Sequence, residues 1–230
     1  MPSAATLSVI IAALDEERFL PRTLVALASE TIDQIIVADG GSTDRTREIA
    51  AGHGATVVRS APGRGLQMNA GAQAACGDLL LFLHADSIPP PGYPEIIATC
   101  LAMPGVAAGA FSLAIDMQGR AIRSIEAAAN LRSRLCRSPY GDQGLFLLSG
   151  LFRRLGGYPP LPFLEDVEMV RKIRRQGRVV TVRERMLTSG RRWQNHGILQ
   201  TTLINGLVLF GYRCGIPPAR LGAFYRRRQG

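Results

Sequence analysis

The sequence predicts an α/β protein in which helices flank a mostly parallel sheet. Three apolar, β-branched runs, at 7–14, 35–38 and 55–59, are each followed by a helical pattern. A fourth run, Leu79–Leu83, is apolar throughout and is soon followed by an acidic residue and three consecutive prolines. Short runs of this kind are typical of strands buried on both faces of a parallel sheet. Repeated strand-helix units in this order predict a Rossmann-like βαβ arrangement.

The second half of the chain predicts further strands and more helices. Ile122, Ile125, Ala129 and Leu135 share one side of an expected helix over 120–136, so we expect that side to be buried. A tight polar loop at 140–144 precedes an apolar run. The other expected elements are helices at 66–75, 94–103, from 165, at 194–212 and at 217–228, and strands at 106–115, 145–148 and 179–182.

Charge is distributed unevenly along the chain. Residues 1–115 carry 6 basic and 11 acidic residues, a net charge of −5, whereas residues 116–230 carry 21 and 7, a net charge of +14. Nearly all of the basic residues are arginines, whose planar guanidinium suits phosphate and carboxylate groups. Anionic small molecules, nucleic acid and acidic lipid headgroups are therefore all candidate partners. A GC-rich coding sequence is an alternative source of the arginine excess.

The cysteines and apolar segments predict a cytoplasmic protein. The four cysteines are widely spaced and form no CxxC pair, so we expect reduced, mostly buried thiols. The N-terminal residues do not have the pattern of a signal peptide. Leu203–Tyr212 is apolar but has about half the length needed to cross a bilayer, so no transmembrane segment is expected. A buried helix is the preferred interpretation of this segment, with a peripheral membrane contact as the alternative.

Acidic residues follow three of the predicted strands. Asp15 and Glu16 come after the first, Asp39 after the second and Asp86 after the fourth. Because the carboxyl ends of parallel strands meet at one edge, we expect these side chains to converge there, although each alone fits a loop cap. Gly63-Arg64-Gly65 before a helix is a weak signal for a phosphate cradle. The Walker pattern and the dinucleotide GxGxxG are absent, which disfavours an ATPase or a dehydrogenase.

Four ordered motifs resemble the inverting family 2 glycosyltransferases of GT-A fold. They are SVIIAALDEERFL, IIVADGGSTDRT, LLLFLHADSIPPPG and LEDVEM, and the resemblance covers 7–90 and returns at 140–193. Three positions depart from the family pattern. The first motif lacks the usual proline and asparagine, DDGS becomes Asp39-Gly40-Gly41-Ser42, and DxD becomes His84-Ala85-Asp86.

The resemblance implies a UDP-sugar site in the first half of the chain. Asp39 would hydrogen-bond the uracil, and Arg64 would contact the nucleotide or its phosphates. Asp86 would hold a divalent cation, Mg²⁺ or Mn²⁺, against the diphosphate. The nucleotide-sugar residues implied in this way are Ala13, Leu14, Asp15, Glu16, Asp39, Arg64, Gln67, Asn69, His84, Ala85 and Asp86.

The resemblance also implies catalytic and acceptor residues in the second half. Glu165 and Asp166 match the acidic pair of the family, in which Asp166 would be the general base. Carboxylates in the first turn of a helix are also favoured by its dipole without any catalytic role. The implied acceptor and diphosphate residues are Asp142, Gln143, Arg191, Arg192 and Trp193, for which a solvated basic loop is the alternative at 191–193. We expect His196 to be structural.

A narrower resemblance concerns the acceptor. PGRGLQMNAGAQAA, PYGDQGLF, LPFLEDVE and the C-terminal RRW and TTLINGLVLFGYRCGIPPARLGAFY are similar to compact enzymes of arsenosugar or selenosugar biosynthesis. This resemblance implies transfer from UDP-GlcNAc or UDP-glucose to a small anionic acceptor, most directly selenophosphate. A hydroxyl acceptor of arsenosugar or lipid-linked type is the alternative. Two alternatives lie outside the glycosyltransferases. They are a nucleotidyltransferase and an arginine-rich module that binds nucleic acid or acidic membranes.

The expected organisation is one catalytic domain with an extension. Residues 1–190 would form the GT-A domain, with a nucleotide-sugar half at about 1–90 and an acceptor half at about 91–190. Residues 191–230 would form a helical extension packed on it. We expect no nucleic-acid partner.

Overall fold

A computed structural model describes residues 5–30 and 32–229, with side chains omitted at 196, 213 and 226–229. Its strands are β1 (Leu7–Ala13), β2 (Gln34–Asp39), β3 (Thr56–Arg59), β4 (Leu79–His84), β5 (Ser87–Ile88), β6 (Val106–Asp116), β7 (Leu145–Leu148) and β8 (Arg178–Ser189). Its helices are α1 (Leu20–Ala28), α2 (Thr46–Gly52), α3 (Arg64–Ala74), α4 (Tyr93–Ala102), α5 (Arg120–Cys136), α6 (Ser149–Arg154), α7 (Glu165–Ile173), α8 (Arg191–His196), α9 (Ile198–Arg213) and α10 (Pro218–Gln229), with a 3₁₀ turn at Gly141–Gln143.

The strands form one sheet in the order β3-β2-β1-β4-β7-β6-β8-β5. The pairs β3-β2, β2-β1 and β1-β4 are parallel, and so is β6-β8. β7 runs antiparallel to both β4 and β6. Ala13 pairs with Asp39, and Ala12 with His84, so β1, β2 and β4 end at the same edge. The predicted α/β class with a mostly parallel sheet is confirmed.

Apolar side chains from alternate positions of β1 and β4 cover the two faces of the sheet. On one face Val9 and Leu81 pack in the same cluster as the α1 residue Leu24. On the other, Ile10 packs in a cluster with side chains of α3. Gly71 lets α3 approach closely, because a Cβ at that position would lie 2.4 Å from Ile10 Cγ2. Burial on both faces explains why these strands read as continuous apolar runs.

The buried side of α5 is partly polar, which corrects the expectation for Leu135. That leucine is 74% exposed. Glu126 instead accepts a hydrogen bond from the Ile115 backbone N–H at 2.6 Å, and Asn130 accepts one from the Leu113 backbone N–H at 2.7 Å. β7 pairs with β6 only at Ala108 and Gly109, near the start of β6. Further along β6, the side chains of Glu126 and Asn130 therefore satisfy backbone N–H groups on the side that β7 does not reach.

Three further expectations about elements are wrong. The strand expected at 179–182 continues to Ser189, because it pairs with β6 as far as Asp116 despite its charged sequence. The helix expected at 194–212 is divided at Gly197, whose φ of 77° ends α8 before α9 begins. Only Cys100 is buried, because the other three cysteines lie at or just beyond the ends of helices.

The segment Leu203–Tyr212 is not a fully buried helix. Ile204 and Val208 are buried, whereas Leu203, Leu207 and Phe210 on the other side of α9 are more than half exposed. Among residues 5–30 and 32–229, no helix has the length and apolar character needed to cross a membrane.

Candidate functional site

A pocket of about 360 Å³ opens at the edge where β1 and β4 end. One wall carries charged side chains and the other is mainly apolar. The charged wall contains Glu16, Arg64, His84, Asp86, Asp142, Glu165, Asp166, Arg191 and Arg192. The second wall, from the 162–167 segment, α9 and α10, contains Pro162, Phe163, Leu164, Val167, Asn205, Val208, Leu209, Gly222 and Tyr225.

Arg191 joins the two halves of the chain inside this pocket. Its guanidinium donates two hydrogen bonds to Glu16, at 2.7 and 2.6 Å, and its Nε lies 3.1 Å from an Asp86 carboxylate oxygen. The same group stands 4.6 Å from the centre of the Phe19 ring. Burial lowers the pKa of Arg191, but the bonds from Glu16 and the charge of Asp86 outweigh it, so the pKa is raised. Arg191 is therefore a fixed cation at the predicted diphosphate position.

The loop at 140–142 brings Asp166 close to His84. The Gly141 backbone N–H donates to Asp166 Oδ2 at 2.8 Å, and the Val167 backbone N–H donates to Oδ1 at 2.8 Å. A Cβ at Gly141 would lie 3.0 Å from His84 Nε2 and 3.3 Å from Asp166 Oδ2. Burial, assisted by Arg64 and Arg192, lowers the pKa of His84 well below its usual value. The imidazole is therefore neutral at pH 7.

Two carboxyl groups beside Asp166 have raised pKa values. Burial is the main cause for Asp142, and the charge of Asp166 adds to it, while Arg192 acts in the opposite direction. Burial and Asp166 likewise raise the pKa of Glu165, against a smaller opposing effect of Arg64. Three acidic groups held close together against arginines are the kind of arrangement found where proton transfer or anion binding takes place.

Asp15, in the loop after β1, and Asp39, the last residue of β2, lie outside the lining of the pocket. Asp39 is buried and accepts hydrogen bonds from the backbone N–H groups of Gly41 and Ser42, at 3.2 and 3.1 Å. Asp15 accepts one from the Thr43 backbone N–H at 2.8 Å. These two carboxylates cap the loops after β1 and β2, and Asp39 also lies 3.8 Å from Arg47 Nε.

Several expected binding residues have their side chains committed elsewhere. Gln67 donates to the carbonyls of Ala13 and Ala38, and Asn69 bonds the backbone of Tyr158 through both its amide nitrogen and its oxygen. Gln143 donates to the Phe111 carbonyl.

Most of the other expected residues line the pocket. The exceptions besides Asp15 and Asp39 are Ala13, which is buried, and Leu14, which is 44% exposed. The other expected residues line the pocket: Glu16, Arg64, His84, Ala85, Asp86, Asp142, Glu165, Asp166, Arg191, Arg192 and Trp193. The side chain of His196 lies outside the described part.

Sequence reasoning missed the apolar wall. Phe163, Val208, Leu209 and Tyr225 read as ordinary core positions, and their clustering around Leu164 depends on tertiary packing. Trp193 was expected at the site, but its burial and its unpaired indole N–H were not. It is 8% exposed, and its indole N–H has no hydrogen-bond partner within the described residues.

The described residues contain no group of three or more His, Cys, Asp or Glu side chains placed to hold a metal ion. Asp86 contributes one carboxylate beside the neutral His84. A divalent cation at this place would therefore take most of its ligands from a bound substrate or from water.

Comparison with solved structures supports the GT-A architecture. Glucosyl-3-phosphoglycerate synthase from Mycobacterium tuberculosis, in complex with Mn²⁺ and UDP-glucose, superposes with a TM-score of 0.66 at 23% identity. The match covers 94% of this chain and 81% of that one. The complex of the same enzyme with phosphoglyceric acid gives a TM-score of 0.63 at 23% identity, with 94% and 82% covered. At this identity the likeness establishes the fold, and the expected GT-A fold is confirmed.

Curated relatives match a shorter part of the chain. Glucosyl-3-phosphoglycerate synthase of Mycolicibacterium smegmatis is 35% identical in an alignment of 115 positions, which covers 44% of this chain and 38% of the relative. An uncharacterized glycosyltransferase of Mycobacterium tuberculosis is 36% identical over 93 residues, or 40% and 42% of the two chains. The chain thus spans about two fifths of the length of these relatives. The model of the family named glycosyl transferase family 2 matches residues 8–149, more than half of the chain. With that match and the pocket at the end of its parallel strands, the chain belongs to glycosyl transferase family 2.

Proposed function

We propose that this chain transfers a sugar from a UDP-sugar to a small anionic acceptor, with inversion at the anomeric carbon. The observation that carries the proposal is one pocket in which Arg64, Arg191 and Arg192 stand with Asp86 and Asp166. Guanidinium groups stabilise a diphosphate leaving group, and a carboxylate on the other side can bind or activate the acceptor. Family membership and the names of the relatives support this activity.

The donor would bind across the ends of β1, β2 and β4. We assign the uracil to the loop 13–16 and Asp39, which adjoin because Ala13 pairs with Asp39. The diphosphate would lie near Arg64, the first residue of α3, where the positive end of the helix dipole favours phosphate. In this assignment 1–90 is the nucleotide-sugar half, 91–190 the acceptor half and 191–230 an extension that completes the pocket.

A divalent cation fits this donor site. Similar structures are complexes with Mn²⁺ or Mg²⁺ and UDP or UDP-glucose, which supports such a cation here. Asp86 is the residue that would hold it, because Mg²⁺ and its analogues commonly take one or two carboxylates together with substrate phosphates. When bound, the cation would neutralise charge that develops on the departing UDP. Arg191 already pairs with Asp86, so the cation and Arg191 compete for one carboxylate.

Asp166 would act on the acceptor. Two backbone N–H groups hold its carboxylate at the pocket wall. With a hydroxyl acceptor, Asp166 would take the proton as the hydroxyl oxygen attacks the anomeric carbon opposite the UDP. With selenophosphate, the selenium is already anionic, and Asp166 would only orient the acceptor or the sugar.

Selenophosphate is the acceptor that we propose first, on the basis of the narrower resemblance and of the arginines in the pocket. A phosphorylated hydroxy acid is the second candidate. It is favoured by the relatives named glucosyl-3-phosphoglycerate synthase and by the position of Asp166. Both acceptors are small anions, which suits a half-chain with a net charge of +14.

Product analysis tests the proposal and separates the acceptors. The protein is incubated with UDP-glucose or UDP-GlcNAc and with selenophosphate, 3-phosphoglycerate or neither, with and without EDTA. We expect acceptor-dependent release of UDP, a glycosylated product by mass spectrometry, and loss of turnover in EDTA. Asp86→Asn should lower the rate of sugar transfer at least 100-fold, whereas Glu95→Gln on the exposed side of α4 should leave the rate unchanged. An absence of UDP release with every pair, together with no thermal stabilisation by UDP, would refute the proposal.

A further inference from the structure

The outer side of α9 presents four large apolar side chains to solvent. Leu199, Leu203, Leu207 and Phe210 are 80, 59, 51 and 67% exposed. Their spacing of four, four and three residues places them on one side of the helix. We call this surface the outer face of α9. Isolated exposed leucines are ordinary, but an aligned set on one helix indicates a surface that is covered in use.

The inner side of α9 already has its own partners. Ile204 and Val208 are buried in a cluster with Leu164 and Leu221. Val208 and Leu209 also line the pocket. The outer face is therefore not needed to hold α9 in place, and its apolar character calls for a different explanation.

The charge around this face selects its partner. Residues 198–230, which include α9 and α10, contain five arginines and no aspartate or glutamate. Arg213 ends α9, and α10 carries Arg220 together with 226–228. A second copy of this chain would bring two such arginine-rich, acid-free segments together, so self-association through this face is disfavoured. An anionic lipid surface supplies both an apolar phase and negative charge.

We propose that the outer face of α9 docks on an anionic bilayer surface. With 16 residues, an apolar outer face and Arg213 at its last position, α9 would lie in the plane of the interface. The membrane-spanning alternative is excluded for the described helices by their length and polarity. Because the inner side of α9 walls the pocket, docking sets the pocket beside the lipid headgroups. The docking proposal stands independently of the identity of the acceptor.

Vesicle co-sedimentation of the full chain tests this proposal. The probes are vesicles of pure phosphatidylcholine and vesicles with about one third phosphatidylglycerol, an anionic fraction chosen to resemble a negatively charged leaflet. We expect binding to the anionic vesicles only, weakened by salt. Leu203→Gln/Leu207→Gln should lower that binding at least tenfold, because neither side chain lines the pocket or belongs to the buried clusters. Its thermal unfolding should match that of the wild type.

A matched control removes exposed apolar groups elsewhere. Val25→Gln/Met103→Gln alters side chains that are 61 and 43% exposed on α1 and just after α4, and it should bind like the wild type. Equal binding by both double variants, or no binding of the wild type to anionic vesicles, overturns the proposal. So does a wild-type dimer, seen by light scattering, that only Leu203→Gln/Leu207→Gln dissociates. That result would assign the face to a second copy.

Discussion

Replacing Arg191 by glutamine is expected to destabilise the protein by about 2 kcal/mol. Glu16 and Asp86 share this guanidinium, at distances of 2.6 and 3.1 Å. Without it, two carboxylates remain close to each other and mostly buried. Glutamine is shorter than arginine and uncharged, so the substitution removes both the positive charge and the two hydrogen bonds to Glu16.

The magnitude follows from the exposure of the three side chains. Glu16 and Asp86 are 15 and 11% exposed, whereas Arg191 is 38% exposed. Breaking a buried pair costs about 3–5 kcal/mol, and an exposed pair contributes about 0–1 kcal/mol. Solvent screening at Arg191 reduces the loss to about 2 kcal/mol, a value between these limits. For a chain of this size the melting temperature should fall by about 4–8 °C.

Thermal unfolding in EDTA and in Mn²⁺, without nucleotide, measures both the loss and its cause. Arg191→Gln should melt lower in EDTA and recover part of the difference in Mn²⁺, because Asp86 and Glu16 become available to a cation. The wild type should respond to Mn²⁺ alone much less. Arg175→Gln, a change at an exposed arginine beyond α7, is the matched control. A fall of less than about 1 °C for Arg191→Gln contradicts the stability argument. An equal response to Mn²⁺ in both proteins contradicts the competition for Asp86.

Three other substitutions probe the site and the core. Asp166→Asn should slow transfer to a hydroxyl acceptor by about 10²–10⁴-fold and transfer to selenophosphate much less, and equal small effects would remove Asp166 from the mechanism. Burial and the charge of Asp166 raise the pKa of Glu165 in the folded state. The free energy of unfolding should therefore fall as the pH rises above 4.5, the ordinary pKa of a glutamate. Glu165→Gln should therefore be more stable than the wild type in urea titrations at pH 7, and the difference should vanish below pH 4.5; a constant difference would contradict this linkage. Gly71→Ala should cost about 1–3 kcal/mol by overpacking against Ile10, whereas Gly206→Ala, with no atom within 4 Å of the added Cβ, should not destabilise.

The parallel half of the fold was predictable because its strands are buried on both faces. Leu79–Leu83 is apolar throughout, and such a run between turn residues has few other interpretations. The direction of β7 was not predictable. Leu145–Leu148 is equally apolar, but four residues carry no information about whether their neighbour runs parallel or antiparallel. The hydrogen bonds of Glu126 and Asn130 with β6 were not predictable either, because bonds from a side chain to the backbone leave no periodic pattern in the sequence.

The candidate site was predictable where residues stand at the ends of strands or helices. Asp86 follows β4 and Arg64 begins α3, so the direction of the parallel strands is enough to place both residues at the pocket edge. Gln67 and Asn69 were expected to contact the donor and instead bond backbone groups. An amide side chain on a buried helix serves either purpose equally well, so sequence alone cannot distinguish them. The contact between Arg191 and Glu16 spans 175 positions and has no local signature.

The length of β8 explains how a C-terminal segment comes to complete a site formed by the first half of the chain. Thr188 pairs with Ser87, and the Ser189 backbone N–H donates to the Asp86 carbonyl at 3.1 Å. Had the strand ended at 182, as its apolar residues suggest, the start of α8 would lack these backbone contacts beside Asp86. The last seven residues of β8 therefore position Arg191, and through it they connect the apolar wall of α9 and α10 to the carboxylates that follow β1 and β4.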